Sequence, residues 1–224
     1  MIYALLDRLT ERYSENEHRL EAMRAREEYF DRAGKVFDDD AELFEGRMAS
    51  FLEWYVLERP SAGLGGKAPI AHAIEAAAKS PAAERRTMAH LASSHRSVFQ
   101  LAASADRVLE IDDLVGGARF SVLERRNTAG VAPGDVFEAR LIWDAGSDSG
   151  APARAAEPAV ERAIFGRTFL FHPPDARDVT IEWVERAVQQ GTRREEILFH
   201  LSRQYVRWHR LGHVGAAKVY RDGG

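Results

Sequence analysis

Apolar residues recur at helical spacing from Met1 to about Arg32, at Leu5, Leu6, Leu9, Tyr13, Leu20, Met23, Tyr29 and Phe30. The stretch ENEHRLEAMRAREEYF is more polar than a buried helix and reads as an arm or a coiled-coil-like hairpin. Its a/d heptads are too short-lived for a long coiled coil. A stronger stripe follows: Leu43, Phe44, Met48, Phe51, Leu52, Tyr55 and Val56. Asp40 is its expected N-cap, and Pro60 with SAGLGG stops it. APIAHAIEAAAK predicts a third helix, and a fourth is expected to run through PAAERRTMAHLASSHRSVFQLA.

The period then changes from helix to strand. RVLEIDDL, ARFSVLERR, DVFEARLIWD and RAIFGRTFLFHP are short runs rich in Val, Ile, Phe and Trp, separated by Gly116-Gly117, by Pro133-Gly134-Asp135 and by GSDSGAPARAAEP. They predict four antiparallel strands, a meander or most of a barrel, with a mobile loop at about 144–160. Pro173-Pro174 closes this region. Asp178 is expected to cap VTIEWVERAVQQ, Gly191 to end it, and Thr192 to cap RREEILFHLSRQYVRWHRL. The pattern is α+β: a helical region over 1–105, a small antiparallel β unit over 106–174, and two C-terminal helices over 175–224 packed on the rest.

Composition narrows what such a fold could do. Cysteine is absent, which removes disulfides, thiolate zinc sites and cysteine nucleophiles together. Asp7, Arg8, Glu11 and Arg12 interrupt the first dozen residues, so no signal-peptide core is expected there. No run approaches the roughly 20 apolar residues of a membrane span, and a cytoplasmic protein is expected. The net charge is −4. Residues 106–174 carry 8 basic and 11 acidic side chains, which opposes a phosphate-tracking groove.

VAPGDVFEARLIW has the turn-and-strand form of OB-like and SH3-like barrels, a resemblance covering about a dozen residues that turn chemistry alone could produce. Its strand alternates Phe137, Ala139, Leu141 and Trp143 against Val136, Glu138, Arg140 and Ile142. GKVFDDDAELFEGRMASFLEWYVLERP, ERRTMAHLASSHRSVFQLAA and VLEIDDLVGGARFSVLER, together with that stretch, resemble a loose set of uncharacterised bacterial proteins with a helical leader and a small β unit. The resemblance implies a domain layout and carries over no activity, cofactor or catalytic residue.

The chemistry-bearing residues have structural explanations that compete well. His209 and His213 are four apart, as in zinc sites, but HRLGH lacks the Glu of a metalloprotease motif and Gly212 weakens the helix. Glu196 and His200 are the spacing of a surface hydrogen bond. Asp38, Asp39 and Asp40 fit a helix N-terminus better than an ion site, and Asp112-Asp113 fits a strand entering a turn. GLGGK lacks P-loop spacing, and no G-x-S-x-G elbow exists. Phe120, Phe137, Trp143, Phe165, Phe169 and Phe171 could stack bases, but they read better as core. Phe165, Phe169 and Phe171 share strand parity with Arg167, and a face packed on helices is expected for them. No catalytic, cofactor or metal residue is therefore assigned.

One segment is locally basic: Arg203, Arg207, Arg210, Lys218 and Arg221 stand against Asp222, with Tyr205, Trp208 and Tyr220 between them. These five are the candidate binding surface. The expected function is a non-enzymatic interaction or regulatory protein whose partner is another protein. The alternative is a nucleic-acid-binding accessory protein using the β unit or the basic helix. A metal-assisted hydrolase using His200, His209 or His213 stands third.

Overall fold

The computed structural model describes residues 2–37, 40–105, 107–124, 126, 130–144 and 162–222. The chain divides into two compact units, Met1–Ser93 with Phe199–Gly212, and Ser94–Leu198 with His213–Gly224. The expected loop at 144–160 lies outside the described residues apart from Asp144, as do Asp38 and Asp39.

The first unit is helical: α1 (Ile2–Ser14), α2 (Arg19–Ala33), α3 (Ala41–Leu57), α4 (Pro69–Ala76) and α5 (Ala82–Ala92). The long N-terminal helix expected to about Arg32 is broken, because Asn16 takes a left-handed φ of 50° between α1 and α2. Asp40 does occupy the N-cap position of α3, and its carbonyl receives Leu43 and Phe44 N–H. Its carboxylate makes no cap bond. It accepts Phe37 N–H at 2.9 Å and Arg210 at 2.8 Å instead. The core is an aromatic cluster centred on Tyr29, whose ring lies 5.3 to 5.8 Å from Phe30, Phe51, Trp54 and Phe199.

The expected fourth helix stops at Ala92. The next residues form a strand, β1 (His95–Ala105). Ser93-Ser94 interrupts the helix, and Ser97, Phe99 and Leu101 then alternate into a buried interior. The four expected strands follow as β2 (Val108–Asp113), β3 (Arg119–Leu123), β4 (Val136–Asp144) and β5 (Arg162–Phe171). They close a barrel in the order β1-β2-β3-β5-β4. Every pairing is antiparallel except β3 with β5, a parallel seam matched at Val122 and Ala163.

The barrel core is Phe99, Leu101, Leu109, Ile111, Val122, Phe137, Ala139, Leu141, Ala163 and Phe165. Phe137, Ala139 and Leu141 point inward as their alternation requires, but Val136, Glu138, Arg140 and Ile142 are buried as well. Both faces of β4 are thus covered. Phe165 and Phe169 are core, as expected, but they belong to the barrel interior rather than to a face packed on helices. On β5 the register runs from Phe165 to Phe169 while β4 advances only from Leu141 to Ala139. This bulge turns Arg167 out to solvent and keeps both rings inside.

The C-terminal region holds α6 (Arg177–Gln189), α7 (Arg194–Leu211) and a further short helix, α8 (Ala216–Asp222). Asp178 lies in the first turn of α6 and does not cap it. Gly191 takes a φ of 74° after α6, as its expected stop requires. Among the described residues no helix is long and apolar enough to cross a membrane.

Candidate functional site

At one end of the barrel a cavity of about 140 Å³ is lined by Leu109, Val131, Phe137, Phe169, Phe171, Glu124 and Arg126. Alternation aims Leu109 and Phe137 inward to form its floor. Phe169 and Phe171 stack nearly parallel, 14° between planes with centroids 5.8 Å apart, and form one wall. Phe171 is 39% exposed, an unusual position for a large apolar ring at a strand end.

The polar side of this cavity is one ion pair. Glu124 is buried at the end of β3, and Arg126 grips it through Nε at 2.9 Å and Nη2 at 2.6 Å. Arg126 Nη1 also donates to the Gly166 carbonyl at 3.2 Å, within the β5 bulge, and its guanidinium lies 4.6 Å from the Phe169 ring centroid. The pair therefore clips β3 to β5 where a single matched residue pair marks the seam. Its charges satisfy one another, so the cavity presents apolar surface beside a neutralised pair.

The opposite end of the barrel holds a constellation of catalytic residue types. Asp113, buried at the end of β2, accepts His95 Nε2 at 2.7 Å, Ser97 Oγ at 2.5 Å and Val115 N–H at 3.0 Å. Burial pushes its pKa up, but bonds from His95, Ser97 and the Gly116 and Val115 amides outweigh this and hold it at about 2. Arg194 donates to His95 Nδ1 at 3.3 Å, which leaves Nε2 as the nitrogen carrying the proton toward Asp113. Ser97 spends its hydroxyl on the carboxylate, not on the imidazole, so Ser97 is not poised for activation by His95. The group locks the β2–β3 turn, in keeping with the sequence reading of Asp112-Asp113.

The five basic residues of the candidate surface separate. Arg203, Arg207 and Arg210 lie on α7 in the first unit, while Lys218 and Arg221 lie on α8 in the second. Arg203 donates to the Asp31 and Arg32 carbonyls at 2.7 to 3.0 Å, capping the C-terminus of α2. Arg210 holds Asp40 and the Lys35 carbonyl, the latter at 2.6 Å. Arg207, Lys218 and Arg221 are exposed. Tyr220 is buried, its hydroxyl 2.9 Å from His172 Nδ1.

The candidate metal residues do not converge. Helix α7 ends at Leu211 and Gly212 takes a φ of 50°, so His209 and His213 do not share a helix face. Glu196 is held by Arg193 at 2.8 Å, and Gln204 Nε2 lies 3.4 Å from His200 Nε2. Among the described residues no group of three or more His, Asp or Glu side chains could hold a metal ion. Lys67 of GLGGK is bound to Glu75 at 2.6 Å.

The barrel-end cavity had no signal in the sequence beyond the apolar parity of its strands, because Arg126 and Val131, which complete its lining, lie outside the strands. Comparison of the chain with protein-family models, with curated proteins and with solved structures gives no match.

Proposed function

We propose that the chain is a protein-interaction protein whose barrel end seats one apolar side chain of a partner polypeptide. The size and lining of the cavity carry this reading. At about 140 Å³ it is close to the engineered cavity of about 150 Å³ that holds a single benzene ring. Metabolite and drug-sized ligands occupy about 300–1,000 Å³. A pocket for one ring or one branched aliphatic group, bordered by a half-exposed Phe171, suits the buried anchor of a protein interface.

A second reading draws on the strand order. A five-stranded barrel in the order 1-2-3-5-4, closed by one parallel pair, has the OB arrangement, and such barrels bind oligonucleotides across strands 2 and 3. Here the outward positions of β2 and β3 are Val108, Glu110 and Asp112, and Arg119, Ser121 and Leu123. Asp112 and Arg119 satisfy each other at 2.6 and 2.8 Å, and Ser121 donates to Glu110. Two carboxylates against one paired cation, with no ring among them, favour the protein partner over a phosphate backbone.

The test is a photocrosslinking residue at position 171 in the full chain, irradiated in nuclease-treated lysate of the native host. A discrete crosslinked protein, lost when Val131→Arg fills the cavity, is the expected result. Crosslinks only to nucleic acid, or a product indifferent to Val131→Arg, would overturn the reading.

A further inference from the structure

Helix α2 carries apolar side chains on its outer face that no core absorbs. Leu20 is 70% exposed and Met23 52%, and Phe37, just beyond the helix, is 56% exposed. The sequence pattern counts Leu20 and Met23 with the buried stripe, yet they point to solvent. Near the C-terminal end of α2 an open cavity of about 490 Å³ is lined by the apolar Met23, Phe30, Val36 and Phe37 and by the charged Arg26, Glu27, Asp31 and Lys35.

The surface is held in shape. Asp40 accepts Phe37 N–H and Arg210 Nη2, Arg210 also takes the Lys35 carbonyl, and its guanidinium lies 4.8 Å from the Phe37 ring centroid. Hydrogen bonds from Arg210 and from the Phe37 amide lower the Asp40 pKa, so the clasp is ionic at neutral pH. A large ring fixed outward beside a hollow of mixed apolar and charged lining costs free energy in water, and burying the ring with Leu20 and Met23 against a partner recovers that cost.

We infer that two copies of the chain pair through this face, α2 antiparallel to α2 about a two-fold axis, each Leu20 entering the hollow of the other copy. The charges on the helix choose this occupant. Arg24 and Asp31 are seven residues apart, two turns or about 10 Å along one face. A two-fold axis passing between Glu27 and Glu28 sets Arg24 of each copy opposite Asp31 of the other, giving two identical ion pairs. The same operation brings Leu20 level with the end of α2, where Phe30, Val36 and Phe37 line the hollow. Glu27 lies near the axis, flanked by Arg26 from both copies. Each surface thus supplies both the knob and the socket, as a closed isologous contact requires. Asp31 now pairs with Lys35 at 3.1 Å, a largely exposed bridge that exchanges easily for another. The pairing involves only the helical unit and does not depend on the barrel-end reading.

Sedimentation equilibrium on the full chain tests it. A dimer is expected, with Leu20→Glu monomeric and unchanged in thermal unfolding of its circular dichroism. Arg24→Glu and Asp31→Arg should each weaken dimerisation by about tenfold. The double variant R24E/D31R should restore it, because the two pairs are exchanged for their mirror charges. A wild-type chain that stays monomeric to about 100 µM overturns the inference. A dimer that resists Leu20→Glu, or that the double variant fails to restore, does so equally.

Discussion

His95 Nε2 lies 2.7 Å from Asp113 Oδ2 at the turn end of the barrel, and Asp113 collects the Ser97 hydroxyl and two turn amides as well. One carboxylate thereby joins β1, β2 and the β2–β3 turn. Removing it strands several buried donors, so Asp113→Ala is expected to cost about 3 kcal/mol in urea unfolding, and Asp113→Asn less. A Cβ at Gly116 would collide with the same carboxylate. Gly116→Ala should therefore reproduce part of the Asp113→Ala loss.

Stability should fall in acid in two separate windows. Burial, with Arg203 adding to it, lowers His200 from 6.5 to about 4. The unfolded chain then binds that proton more readily, and stability is lost as pH falls from 6.5 toward 4. About 2 kcal/mol should disappear between pH 7 and pH 5, and less in His200→Gln, read by urea titration at both values. Asp113 acts lower. Its folded value of about 2 lies below 3.8, so its contribution is present above 3.8 and is lost as pH falls through 2.

Arg126 should matter more to the barrel than its exposure suggests. Arg126→Ala leaves the buried Glu124 carboxylate without its two guanidinium donors, at a cost of about 2 kcal/mol. It also releases the Gly166 carbonyl from the clip across β3 and β5. Amide exchange at Val122 and Ala163 should accelerate more than at the β1–β2 pairs, as hydrogen–deuterium exchange would read.

The arginines of α7 should separate by what they touch. Arg203→Ala uncaps α2 and Arg210→Ala opens the Phe37 clasp, and each should lower stability by about 1 kcal/mol. Arg207→Ala, an exposed position, should change the melting temperature little. If instead the three arginines formed a nucleic-acid face, binding at low salt would fall with all three while stability stayed level.

Strand parity was legible because it is a local property: Leu109 and Ile111, or Phe137, Ala139 and Leu141, alternate wherever the chain is extended with one face buried. The helix stripes and the left-handed glycine after α6 were legible for the same reason. The start of β1 was harder to see, since an alanine-rich helix runs into His95 with only Ser93-Ser94 between them and the following alternation is short. Leu20 and Met23 misled in the other direction, because spacing gives a helical face but not what lies against it.

Other features arose only when distant residues met. The parallel closure matches Val122 with Ala163, and the β5 bulge decides that Phe165 and Phe169 share the interior while Arg167 does not. The basic run on α7 looks like a surface patch in sequence, yet two of its arginines are used on backbone carbonyls of the α2–α3 region more than 160 residues away. A carbonyl acceptor carries no residue identity, so composition and spacing determine the strands and helices of this protein, while only packing decides which of its charges face outward.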